Sequence, residues 1–247
     1  RSADWVNSIG GSTGFHRDFG SGTWGGGPIG SPYNIGAGPQ AKVNVTFDYA
    51  GESDKGPYPI PTSPKIEYGS DHHILIVDKD TCKLYELYDA RQVSGKWYAG
   101  SGAIWDLYSN ALRPNGWTSA DAAGLPILPG LVRYEEILAG EINHAIRFTA
   151  PQTQRAYLWP ARHFASDLTS PIYPPMGARF RLKASFGISS SPPEMQVILR
   201  AMKKYGADAG RVSCGGSGDW GGTAALQYGL RRPGRVAYVM AQDSPDP

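Results

Sequence analysis

The residues able to do chemistry crowd into one run, Asn115–Phe148, NGWTSADAAGLPILPGLVRYEEILAGEINHAIRF. It holds Asp121, Glu135, Glu136 and Glu141 among aromatic and turn residues. Glycoside hydrolysis needs two carboxyl groups roughly 5–10 Å apart, one protonated and one ionised. Asp121 follows Trp117 beside an apolar loop, surroundings suited to a general acid. Glu135 or Glu136 is its candidate partner, as base or nucleophile, because a short connection can bring a helix back over its own loop. Trp117 and Trp159 offer flat faces to sugar rings, Tyr134 a further contact, and Arg113 a clamp on substrate. A lyase built from the same run would use Tyr134, His144 or His163 as base, with Arg113 or Arg133 holding a substrate carboxylate. A structural account competes with both: Asp121 caps a turn, and the glutamates sit favourably in the first turn of a helix.

The elements that must position these groups are legible in part. Gly116, Gly124, Pro126, Pro129 and Gly130 fix a particular loop path after Asn115. A short helix is expected over Val132–Ala139, with Gly140 at its C-terminal end, followed by a strand over Ile142–Phe148. Upstream, Lys42–Tyr49 alternates as a strand should. His73–Asp78 and Lys83–Tyr88 flank the turn Asp78-Lys79-Asp80-Thr81 as a hairpin. A second hairpin is expected over Trp97–Leu107 through Ala99-Gly100-Ser101-Gly102. Arg155–Pro160 and Arg179–Lys183 alternate again. Pro193–Tyr205 carries one apolar stripe, Met195, Ile198, Leu199, Met202 and Tyr205, and predicts a helix. Frequent turn signals between short strands point to a mainly β fold, an antiparallel β-sandwich or jelly roll with long Gly/Pro-rich loops and one C-terminal helix. The expected organisation is one β-rich domain over residues 1–206, with an N-terminal arm over 1–40 in which His16 and Asp18 mark a bend, and a Gly-rich tail over 207–247.

Composition narrows the class. A chain of 247 residues with 32 Gly and 20 Pro is loop-rich, and 40% hydrophobic residues suffice for a core. A net charge of +2 gives no field that calls for nucleic acid. No apolar run approaches the roughly 20 residues of a membrane helix. The 14 Tyr and 7 Trp suit a saccharide groove, for which Trp105, Trp117, Tyr134, Tyr157 and Trp159 are candidates, and equally suit a β core. No cofactor is implied. No His-x-His or His-Glu-x-x-His spacing occurs, so a metal set would have to be assembled from His73, His144 and His163. Cys82 and Cys214 either pair or stay as separate buried thiols. A first residue other than Met suggests a chain whose leader has been removed, and places it outside the cytoplasm.

Two resemblances add to this. His16-Arg-Asp-Phe-Gly, Gly56-Pro-Tyr-Pro-Ile-Pro, Asn110-Ala-Leu-Arg-Pro with Gly116-Trp-Thr-Ser-Ala-Asp-Ala-Ala-Gly, and Trp159-Pro-Ala-Arg-His resemble a family of secreted bacterial and fungal proteins of unassigned function, over residues 15 to 205. That implies an extracellular location and one compact body, with no catalytic assignment to transfer. Separately, Ser217-Gly218-Asp219-Trp220-Gly221-Gly222, with Thr223–Arg231 after it, resembles the nucleophile elbow of α/β-hydrolases of the haloalkane dehalogenase and epoxide hydrolase type. No His-Gly motif precedes it and no histidine follows it, so Asp219 is not expected to act as a nucleophile. The expectation is a secreted polysaccharide-active protein, a glycoside hydrolase or lyase if an enzyme. The alternative is a non-catalytic carbohydrate-binding or adhesion module, or a structural filament-forming protein.

Overall fold

Ile74–Val77 is an unbroken apolar run of β-branched and aliphatic residues, the signature of a strand covered on both faces. In the computed structural model, which describes residues 2–11, 23–206 and 240–241, it is covered on both. The strands follow in chain order as β1 (Thr23–Trp24), β2 (Gly27–Pro28), β3 (Tyr33–Gly36), β4 (Val45–Phe47), β5 (Ile74–Asp78), β6 (Lys83–Tyr88), β7 (Arg91–Val93), β8 (Lys96–Ala99), β9 (Ser101–Asp106), β10 (Gln154–Tyr157), β11 (Pro175–Met176), β12 (Phe180–Arg181) and β13 (Met240–Ala241). The helices are α1 (Ser2–Ser8), α2 (Tyr134–Ala139) and α3 (Pro193–Lys204).

The largest sheet has the order β3-β5-β6-β9, and a three-stranded sheet has the order β4-β8-β7. The β5–β6 hairpin forms as expected, with Leu75 opposite Glu86 and Ile76 opposite Tyr85. Alternation then sends Ile74, Ile76, Tyr85 and Leu87 to one side, where they pack with Tyr58, Trp97 and Ala99. Leu75, Val77 and Leu84 go to the other side and meet Leu107, Ala120, Ile127 and Leu128. The site-bearing loop is therefore the second cover of the main sheet.

The mainly β class holds, but the order is mixed rather than antiparallel. The pairs β3–β5, β4–β8 and β10–β11 are parallel. The Trp97–Leu107 hairpin does not form either. β8 and β9 belong to different sheets, and Gly100 marks the corner between them, where any Cβ would lie 2.6 Å from the Tyr88 ring. The hairpin partner of β8 is β7, joined through Ser94 and Gly95, both in the left-handed region.

α3 forms where its stripe predicts. Pro193 sits in the first turn, Glu194 complements the N-terminal dipole, and Lys203 and Lys204 complement the C-terminal one. Its Met195, Ile198, Leu199 and Met202 are buried with Ile137, Ile142, Ile146, Phe180 and Leu182. Residues 142–148 are irregular rather than a strand, because their backbone is used locally. Ile146 N–H donates to Gly206 O and Arg147 N–H to Gly130 O. α2 forms within the expected Val132–Ala139 and α3 within Pro193–Tyr205, while α1, in the N-terminal arm, is a helix that was not expected. β13 lies antiparallel to β12, so part of the expected tail pairs with the body. His16, Asp18 and the Ser217–Gly222 elbow lie outside the described residues, as does Cys214; Cys82 is disulfide-bonded.

Candidate functional site

The loop between β9 and α2 is shaped by its small residues and by its own hydroxyls. Gly124 has φ +70°, and a Cβ there would lie 2.5 Å from the Trp117 carbonyl oxygen, so only glycine fits. Ser119 Oγ–H donates to Leu125 O (2.6 Å), with Asp121 O also within reach of that oxygen (2.9 Å), and Ser101 Oγ–H donates to Ser119 O (2.6 Å). The loop ends in a short 3-10 turn, Leu128–Gly130, which is fully buried.

The sheet holds this loop through a carboxylate. Glu86 projects from β6 with 0% exposure. Its oxygens accept Ile127 N–H (2.9 Å), Leu128 N–H (2.9 Å) and Trp105 Nε1–H (3.1 Å). Burial is the largest influence on it and outweighs these donors, so its pKa is pushed up to about 7. His73, at the start of β5, places Nε2 3.0 Å from Ala120 O and Nδ1 against Glu67 Oε2. Burial acts to lower the pKa of His73, but the hydrogen bond and charge of Glu67 prevail and raise it. The Glu67 carboxyl is correspondingly held below its ordinary value, again against the opposing effect of burial.

Asp121 lies on the outer side of the same loop. One of its oxygens accepts Ala123 N–H (2.7 Å), and the other accepts Arg147 Nε–H (2.5 Å). The pair lines a cavity of about 410 Å³ whose walls come from residues 121–123, 125–126, 147–153 and 174–178, with Ala165, Ser166, Leu168 and Phe180. Apolar and proline side chains dominate: Leu125, Pro126, Phe148, Pro151, Leu168, Pro174, Pro175, Met176 and Phe180, with Thr149, Gln152, Thr153 and Ser166 as neutral polar groups. The Asp121 side chain is 13% exposed and that of Arg147 28%. Arg147 is densely surrounded yet reachable by water, as a group in a recess must be. Burial would lower its pKa, but the charge of Asp121 outweighs this and raises it. Beyond Nε, its two Nη groups make no hydrogen bond among the described residues. Gly130 allows this placement, since a Cβ there would stand 2.7 Å from Arg147 Cβ.

The expected acid pair does not meet in this cavity. Glu136 is committed elsewhere: it closes a capping box with Arg133, pairs with the Arg133 guanidinium and sits 2.9 Å from His144 Nε2. Burial would raise its carboxyl, but the His144 hydrogen bond and the Arg133 charge outweigh that and lower it. Glu135 accepts a hydrogen bond from Tyr33 Oη–H (3.3 Å). Among the described residues lining the cavity, Asp121 is the only carboxylate.

The other expected site residues also separate. Arg113 is no substrate clamp. It is buried, and it donates to Asp54 Oδ2 (2.6 Å), Glu52 O (2.7 Å) and Thr118 O (2.6 Å). Its guanidinium carbon lies 5.7 Å from the Trp105 ring centre and 5.4 Å from that of Trp117, so Trp117 serves as an internal face rather than a free platform. Tyr134 packs against the α3 core. Trp159 is 77% exposed and remains open to a flat ligand. The three histidines considered for a metal each have separate partners, Glu67 and Ala120 for His73, Glu136 and Ala145 for His144, and Ala122 for His163. No group of three or more metal-ligating side chains is found among the described residues. Arg147, Glu86 and Glu67, which the structure places around this loop, are the residues that sequence reasoning missed. The chain matches no family model, no curated protein and no solved structure.

Proposed function

We propose that the protein is an extracellular carbohydrate-binding protein without glycosidic-bond-cleaving activity, with the Asp121–Arg147 cavity as its saccharide site. One observation carries this reading: among the described residues a single carboxylate, already paired with a guanidinium, lines an otherwise apolar and neutral polar cavity. Hydrolysis through two carboxyls finds no second partner there among the described residues. An Asp–Arg pair with free edges supplies acceptors and donors side by side, which suits neighbouring sugar hydroxyls. The proline, leucine and phenylalanine walls take the C–H face of the ring. The volume falls in the range of about 300–1,000 Å³ usual for small-ligand sites, at its small end, and so suits one terminal unit of a chain. Trp159 offers a second face outside the cavity. The resemblance of residues 15 to 205 to secreted proteins and the disulfide-bonded Cys82 support an oxidising, extracellular setting.

The test is calorimetric titration with a panel of soluble oligosaccharides, run beside an assay for new reducing ends or unsaturated products. The expected result is saturable binding without product. Asp121→Asn and Arg147→Leu should each weaken it by about 1.5–3 kcal/mol, roughly tenfold to a hundredfold, as for loss of a hydrogen bond to a charged group. Product formation that Asp121→Asn abolishes would instead restore the hydrolase or lyase reading. No binding across the panel would leave the structural class.

A further inference from the structure

Residues 121–123, Leu125 and Pro126 form one wall of the cavity, and ionisable side chains pin the residues that flank this wall, Ala120 before it and Ile127 and Leu128 after it, to the sheet. At Ala120 the pin is His73, whose two ring nitrogens face the Ala120 carbonyl and the Glu67 carboxylate. Both partners are acceptors, so the ring satisfies both only as the doubly protonated imidazolium. At Ile127 and Leu128 the pin is Glu86, whose Oε1 takes both backbone N–H groups. Between the pins Asp121 is tied to Arg147. Five ionisable groups are thus coupled from five places: Glu67 upstream of β5, His73 immediately before it, Glu86 on β6, Asp121 on the wall and Arg147 after α2. The Tyr88 ring, 5.8 Å from that of His73, is the remaining titratable neighbour.

We propose that His73 and Glu86 are positioning residues that make this wall pH-responsive, seated on the sheet in mildly acid solution and loosened as the pH passes neutrality. The consequence for ligand retention rests on the saccharide-binding reading above; the behaviour of the wall does not. Both groups act in the same direction. His73 has a pKa raised above the ordinary 6.5, so its stabilising contribution is complete below that value and is lost as the pH rises through the folded one. Once neutral, the ring can donate to only one of its two acceptors: either the Ala120 carbonyl loses its imidazole donor, or Glu67 does and keeps only Ser31 Oγ–H and the His73 backbone N–H. Glu86 ionises in the same interval, at about 7. The buried side of the wall gains a negative charge as it loses the imidazolium, and Arg147 is left to face Glu67, Glu86 and Asp121. Protonated Glu86 keeps Oε1 as acceptor for Ile127 and Leu128; the Ile127, Leu128 and Trp105 donors favour its ionised form, but burial of the seated carboxyl opposes the charge more strongly.

Amide hydrogen exchange at Ile127 and Leu128 reads the wall directly, with Leu75 and Leu84 in the main sheet as internal references. Between about pH 6 and about pH 8.5, after correction for intrinsic exchange, protection of Ile127 and Leu128 should fall about tenfold or more relative to the references. His73→Gln should lower that protection at the acid end and flatten its pH dependence, and Glu86→Gln should flatten it too. Oligosaccharide affinity should fall with the same midpoint. An exchange step without saccharide binding upholds the wall and removes the binding reading. Equal protection at both pH values, or an unchanged step in both variants, overturns the proposal. If His73→Gln does not fold, the wild-type profile and Glu86→Gln decide.

Discussion

Arg113 shows how one side chain can look functional and be structural. Set among turn residues ahead of a Gly-rich loop, its sequence context suits a substrate clamp. Its guanidinium instead satisfies three acceptors on two separate segments and lies near two indole faces. Removing it leaves the Glu52 and Thr118 carbonyls without this donor, and Asp54 without its buried cationic partner and with only the Ile104 N–H on that oxygen. Arg113→Ala should therefore destabilise the fold by about 3–5 kcal/mol, the range for breaking a buried pair. Arg113→Lys should fall between, since a point charge cannot reach three acceptors as a planar fork does. The midpoint of urea unfolding with the disulfide intact measures both, and a loss below about 1 kcal/mol for Arg113→Ala contradicts the bracing role. Glu86 is the opposite case. In Leu84-Tyr85-Glu86-Leu87-Tyr88 the alternation assigns it to an outward face, yet that face is covered by residues some forty positions later. The unbroken apolar run in the neighbouring strand was the available signal, because a strand covered on both faces leaves its partner's acid buried too.

At the level of elements, legibility follows the range of the determining contacts. β5, β6 and α3 are set by local alternation, a short turn and an i, i+3, i+4 stripe, and they form where the sequence places them. The Gly140 cap of α2 is equally local, with φ +76° and an N–H donated to Ile137 O. Failures occur where distant segments decide. The turn at Gly100 reads as a hairpin, but it parts two strands that pair with different neighbours. The acids of the Asn115–Phe148 run are close in sequence, but the loop and α2 carry them to different partners, so proximity along the chain did not become a shared site. The loop itself is over-determined by glycine. Gly124→Ala forces a left-handed alanine against the Trp117 carbonyl. We expect it to lower stability by more than about 1 kcal/mol and to weaken saccharide binding further, because Asp121 and Leu125 flank it. Parallel thermal melts and calorimetric titrations check this; unchanged affinity would show that the wall tolerates the shift.

Across the whole molecule, the buried ionisable groups set a common pH preference. His73 and Glu86 have raised values, so their contributions are present at low pH and are lost as the pH rises, through about 7 for Glu86 and above 6.5 for His73. Glu67 and Glu136 have lowered values, so theirs are present above the ordinary 4.5 and are lost as the pH falls below it. Glu86 contributes in full only below 4.5 and its contribution falls away from there to about 7, so stability should be greatest around the ordinary glutamate value and decline towards and past neutrality. Urea midpoints taken from about pH 4 to about pH 9 test this; a profile that climbs steadily to the alkaline end contradicts it.

Trp105 lends its indole N–H to the same carboxylate that holds Ile127 and Leu128, and its ring lies near the Arg113 guanidinium. Its excited state therefore lies between a fixed cation and an acid whose charge changes near neutrality. The colour of its emission should register that charge, giving the protein an unlabelled optical gauge of whether the loop is seated.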